Sequence, residues 1–202
     1  MQASSYKTIL KPTGEVCYKD RNSKFFGHAF PVQSEAEVSR CLDLIKGNHP
    51  KASHLCYAWQ LGLHEPVYRA HDDGEPTYSA GMPIYGQIQS FGLTNVLVTV
   101  QRVYGGTKLG IGGLVKAYRE TGKMALESAE VVVNFIKKEL VVSCDYSQLN
   151  RLLYFIKKNR IEVLGQELAE NCSLHLAISL NNAGSIIRLL ENTPGLKVSH
   201  EK

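Results

Sequence analysis

The sequence predicts an α+β protein of two domains, spanning 1–136 and 137–202. Three observations predict it. Apolar periodicity switches repeatedly between two residues and about 3.6, the mark of mixed strands and helices. The run Val96-Leu97-Val98-Thr99-Val100 is β-branched and nearly continuous in its apolarity, as in a sheet interior. The last third of the chain has its own order, strand–helix–strand–strand–helix–strand, and about 60 residues suffice for that ferredoxin-like unit.

Along the first domain, Glu15–Tyr18 and Phe25–Val32 read as strands separated by the polar stretch Lys19–Lys24, with Pro31 ending or edging the second. Ser34 reads as an N-cap, followed by Glu35 and Glu37 in a first turn that favours acids. Val38, Cys41, Leu42 and Ile45 then recur at helical spacing up to Gly47. Leu55, Tyr57 and Trp59 alternate within a strand over Ala52–Leu61. Gly62–Met82, rich in Gly, Pro, Asp and His, reads as a long loop, and loops of that length in compact domains are often functional. Helix is expected over Pro83–Gln89, strand over Asn95–Tyr104, and helix again from about Leu114 to Ser128.

The second domain begins after a polar joint, Lys137-Lys138-Glu139. Leu140–Tyr146 reads as a strand. Ser147 reads as the cap of a helix that turns Leu149, Leu152, Leu153 and Ile156 to one face. Ile161–Leu168 and Ser173–Leu180 read as a hairpin. A helix over about Ala183–Glu191 and the short strand Leu196–Ser199 complete the unit.

Composition bounds the class. The 202 residues are 44% hydrophobic and 21% charged, enough to bury a real core. No apolar run approaches the roughly 20 residues that span a bilayer, and the N-terminus does not read as a signal peptide. A cytoplasmic protein with no membrane partner is therefore expected. Five widely spaced cysteines without a C-x-x-C pair agree with a reducing compartment. The net charge of +4 permits nucleic-acid contact without requiring it.

Two segments carry chemistry. In Tyr104–Gly113, glycines 105, 106, 110, 112 and 113 stand between a buried strand and a helix. Glycine lets other groups approach the backbone closely, and the following helix aims free N–H groups and its positive dipole end at the loop. With Arg102, Tyr104, Lys108 and Lys116 alongside, Gly105, Gly106, Gly110, Gly112 and Gly113 form a candidate anion or RNA site. The pattern is neither a Walker A loop nor a dinucleotide fingerprint, and no cofactor is implied. Tight packing at a strand–helix junction is the plainer alternative.

The second segment is Arg69-Ala70-His71-Asp72-Asp73-Gly74-Glu75-Pro76. Three carboxylates within four residues fit Mg²⁺ binding or acid–base work, and His71 fits a proton shuttle. The same residues fit a solvated turn, since Asp-Gly and Glu-Pro are ordinary turn chemistry. The favoured reading is structural: Asp72 or Asp73 pairs with Arg102 or Lys108 and braces the glycine loop. His54, Cys56 and His64 lack a four-ligand zinc spacing, so no metal is expected. Lys157-Lys158-Asn159-Arg160 suits a helix end, with RNA phosphate contact as its functional version.

These residues resemble the IMPACT family, of the bacterial YigZ type. The resemblance rests on Tyr68–Pro76, Ser79–Ile84, Leu93–Val96, Arg102–Gly110 and Gly112–Tyr118, with Ser23–His28 and His54–Ala58 upstream. It implies an N-terminal domain like the second domain of ribosomal protein S5 and a C-terminal ferredoxin-like domain like the last domain of elongation factor G. In eukaryotic relatives the family is tied to restraint of a starvation-responsive kinase through an additional RWD domain, and that mechanism is not carried over. Two departures stand out. Arg102-Val103-Tyr104-Gly105-Gly106 replaces the common Arg-Tyr-Phe-Gly-Gly, and Tyr78 stands where a small residue is usual, which would narrow a pocket there.

Three functions follow as expectations. The first is a non-enzymatic, translation-associated regulator that binds ribosome or structured RNA through Arg102, Lys108 and Lys116. The second is an enzyme acting on a phosphorylated small molecule through Asp72, Asp73 or Glu75. The third is a module binding a protein partner through the hairpin edge of the C-terminal domain.

Overall fold

The computed structural model describes residues 4–199. It separates into two compact units, one formed by Tyr6–Asn134 and the other by the residues on either side. The strands are β1 (Ser5–Ile9), β2 (Val16–Asp20), β3 (Ser23–Pro31), β4 (His54–Leu61), β5 (Val67–His71), β6 (Val96–Val103), β7 (Val131–Phe135), β8 (Lys137–Asp145), β9 (Glu162–Glu167), β10 (Asn171–Ser179) and β11 (Leu196–Ser199). The helices are α1 (Glu35–Lys46), α2 (Gly81–Ser90), α3 (Gly110–Glu127), α4 (Leu149–Lys158) and α5 (Leu180–Glu191). The whole is mixed α and β.

A five-stranded antiparallel sheet in the order β2-β3-β6-β4-β5 centres the first unit. Strand alternation sends successive side chains of β6 to opposite faces. Val96, Val98 and Val100 pack with Phe25, Cys56 and Ala58 beneath α2 and α3. Leu97 packs with Phe30, Trp59 and Leu61 beneath α1. Arg102 follows Val100 by one pleat, so it falls on the α2/α3 face. That placement creates the site. α1 forms as its caps predict, with the Ser34 hydroxyl accepting from the Glu37 amide and Gly47 at the C-terminal end.

The second unit joins β8-α4-β9-β10-α5-β11, and its antiparallel sheet has the order β11-β8-β10-β9. Leu140, Val142 and Cys144 of β8 alternate into one core with Leu152 of α4 and Ile186 and Leu190 of α5.

Several expectations are corrected. The long loop over Gly62–Met82 contains β5, whose residues Val67–His71 pair with Tyr57–Leu61 of β4. An edge strand exposed along most of its length lacks the apolar alternation that announces a strand. Lys19–Lys24 does not separate β2 from β3. Lys19 and Asp20 pair with Lys24 and Ser23, and only Arg21-Asn22 turns. Both turn residues have positive φ, 42° and 65°, as a two-residue hairpin loop requires. Ser147 does not cap α4, since it lies in a short 3₁₀ turn and no side chain caps that helix. β1 and β7 form a two-stranded sheet that is not among the expected elements, although Val131-Val132-Val133 is a β-branched run.

Candidate functional site

The acidic segment folds first as a turn. Asp73 and Gly74 have φ of 45° and 82°, and the Glu75 amide donates to the Asp72 carbonyl at 2.9 Å. That is the Asp-Gly turn chemistry read from the sequence. Each acid then has a distinct partner. Asp72 Oδ1 accepts from the amides of Ala80 and Gly81 at 2.9 and 2.8 Å, and its Oδ2 accepts from the Tyr78 amide at 2.8 Å. It therefore caps α2, whose own N-cap residue, Ala80, has no side chain for the task. Asp73 Oδ2 accepts from the Leu55 amide at 2.6 Å.

Glu75, rather than Asp72 or Asp73, pairs with Arg102. Its Oε1 accepts from Arg102 Nη1 at 2.7 Å and from the Tyr118 hydroxyl at 2.8 Å. All three residues are buried, Arg102 with 6% of its surface exposed. The guanidinium also lies 5.6 Å from the Phe25 ring centre and 5.3 Å from that of Tyr104. Spacing alone could not select Glu75, because β5 and α2 decide which acid faces the sheet. Burial pushes the Tyr118 phenol and the Cys56 thiol well up, so both stay protonated. Cys56 accordingly donates to the Asp72 carbonyl, and a buried thiol of this kind is not a nucleophile.

Above this cluster opens a cavity of about 500 Å³. Arg102, Glu75, Leu109 and Leu114 form its buried part. Ser53, His54, Pro76, Tyr104, Lys108 and the first turn of α3 line the rest. His54 Nδ1 lies 2.6 Å from the Asp73 carbonyl, which can only accept, so Nδ1 carries the proton. Nothing local in the sequence marked His54 or Ser53 as part of this site. The register of β4 against Arg102 brings His54 there.

The glycine stretch divides. α3 begins at Gly110, not Leu114, so Gly110, Gly112 and Gly113 form its first turn rather than a loop. Packing of buried Leu109 and Leu114 outweighs the poor helix propensity of glycine. Gly110 enters at φ 72°. No side chain caps α3 and no acid stands in its first turn, so its N–H groups and positive dipole end face outward beside Lys108. Gly105 serves packing instead. A Cβ there would lie 2.1 Å from the carbonyl carbon of Asn22, and its amide donates to Ser23 Oγ at 3.2 Å. Gly106, at φ 85°, has no neighbour in the way.

Arg69 and Lys116 do not line this cavity. Lys116 is exposed farther along α3. Arg69 lines a separate cavity of about 480 Å³ with Tyr68, Tyr78 and Met82. Tyr78 thus narrows nothing near Arg102. It is 70% exposed at φ 62°. Among the described residues no cluster suited to a metal ion and no helix able to cross a membrane occurs.

Comparison with known proteins follows the same residues. Residues 21–126 match the model of the Impact N-terminal domain, a span that holds every site residue above. The IMPACT family member YvyE of Bacillus subtilis is 30% identical over 83% of this chain and 76% of its own length. The family member YigZ of Escherichia coli is 36% identical over 54% of each chain. A crystal structure of a hypothetical protein, 24% identical, superposes over 100% of this chain and 98% of its own with a TM-score of 0.72, and so shares the fold. The chain belongs to the IMPACT family.

Proposed function

We propose that this chain is a non-enzymatic, translation-associated regulator that binds ribosomes or structured RNA by holding a backbone phosphate at the mouth of the Arg102 cavity. One observation carries the reading: the uncapped N-terminus of an 18-residue helix opens beside exposed Lys108 onto a cavity whose depth holds Arg102. Helix dipole, free amides and cations together favour a phosphate. Glu75 takes only Nη1 of the guanidinium's donors, and Arg102 Nε has no hydrogen-bond partner. Tyr104, 45% exposed beside Arg102, offers a ring on which a base can stack.

The state of the acids supports binding over catalysis, since Asp72, Asp73 and Glu75 each serve as an acceptor inside the fold. The strand order of the second unit supports the ferredoxin-like assignment, and the family resemblance supports an S5 domain 2-like first unit. Both shapes recur in proteins of the translation apparatus, which is analogy alone.

The test is binding to purified ribosomes and to a labelled ribosomal-RNA transcript across a salt series. Arg102 is unsuitable for substitution, because its loss strands a buried carboxylate. Lys108→Ala is the informative variant, expected to weaken binding and lower the salt slope by about 1. Absence of salt-sensitive binding at low ionic strength would sink the reading.

A further inference from the structure

The tip of the β2–β3 hairpin carries three cations that the cavity does not use. Lys19 and Lys24 are direct cross-strand partners, and Arg21 occupies the turn between them. All three are exposed. Like charges placed opposite each other destabilise a hairpin. Acids do not relieve them: among the described residues, Lys19, Arg21, Lys24 and Lys108 enter no ion pair. Asp20 stands within the same tip, opposite Ser23.

The tip is fixed to the cavity rim. Arg21 Nη1 donates to the Lys108 carbonyl at 3.4 Å, and the Gly105 amide donates to Ser23 Oγ. The Asn22 backbone lies so close to Gly105 that no Cβ fits between them. Lys24 precedes Phe25, which packs beside Arg102, so Lys24 and Lys19 project from the sheet face opposite the cavity. Arg21 stands at the edge between the two faces. The four cations therefore form a track from the cavity rim over the hairpin tip.

We infer that this hairpin tip is a second phosphate-binding patch, engaging the backbone of the same RNA where it leaves the cavity. The inference rests on the proposed RNA reading and extends it to residues outside the glycine stretch. A polyanion is the complementary partner, because phosphates at successive positions would neutralise the unrelieved Lys19–Lys24 pair and release counterions on binding.

The experiment is the salt dependence of binding to the labelled ribosomal-RNA transcript, for the full chain and for Lys19→Gln/Arg21→Gln/Lys24→Gln. A matched charge control, Arg151→Gln/Arg188→Gln/Lys197→Gln, alters exposed cations of the second unit. The hairpin variant should keep its melting temperature, and its log–log salt slope should fall by about 3, one for each phosphate that is no longer neutralised. The control should keep the parent slope. If the triple variant does not fold, Arg21→Gln alone should lower the slope by about 1. An unchanged slope in a folded hairpin variant overturns the inference and leaves the cavity reading standing, as does an equal fall in the control. A parent protein that binds no RNA overturns both.

Discussion

The acidic segment 69–76 and the glycine segment 104–113 line one cavity and use their residues in opposite ways. The acidic segment commits each carboxylate to a donor of its own fold. Asp72 caps α2, Asp73 holds the Leu55 amide, and Glu75 holds Arg102 and Tyr118. The glycine segment leaves its groups open, with an uncapped helix start and an exposed Lys108. The sequence favours a structural, bracing role for the acids, and the hydrogen bonds give that role different partners from the expected ones. Each acid accepts a hydrogen bond from the fold, whereas the helix start and Lys108 are the groups that the proposed reading assigns to a phosphate.

The sharpest way to break the contrast is Glu75→Gln. The change keeps shape and one acceptor but leaves the buried Arg102 charge without a counter-charge. Breaking a buried pair from one side costs about 3–5 kcal/mol, against a total stability of about 5–15 kcal/mol for a domain. Removal of the neutral donor alone in Tyr118→Phe should cost less, about 1.5–3 kcal/mol for a hydrogen bond to a charged acceptor. Urea unfolding of the two variants beside the parent gives the ratio. If Glu75→Gln unfolds within about 1 kcal/mol of the parent, Glu75 does not hold the fold, and its carboxylate becomes free to be assigned to chemistry.

The legible parts of the molecule are those set by local rules. The Ser34 cap, the β6 interior strand, the Asp-Gly turn and the βαββαβ order follow from short-range pattern. Arg102 is legible as part of the site, but its burial is not, because that depends on β6 pleating toward α3 rather than α1. The choice of Glu75 over Asp72 likewise depends on Asp72 reaching forward eight and nine residues to Ala80 and Gly81. β1 and β7 escape a sequence reading because their pairing joins strands over a hundred residues apart. His54 reaches the site by strand register, which no motif records.

The glycines offer the finer division, since the same substitution should have opposite signs within one segment. Gly105→Ala places a methyl group where the backbone of Asn22 and Ser23 already stands. The turn must shift, and forced overpacking of this kind costs about 1–3 kcal/mol. Gly112 is different. It lies in the first turn of α3, outside the left-handed region, and a Cβ there meets nothing within 4 Å. Gly112→Ala should therefore stabilise the helix by about 0.5–1 kcal/mol, the ordinary advantage of alanine over glycine. Thermal melts of both variants measure the two signs. If Gly112→Ala also weakens RNA binding while raising the melting temperature, that glycine stands in the helix for the ligand's approach and not for the fold. If binding is unchanged, the open end of α3 is wider than one phosphate requires, and Lys108 with the Arg102 cavity must account for the affinity.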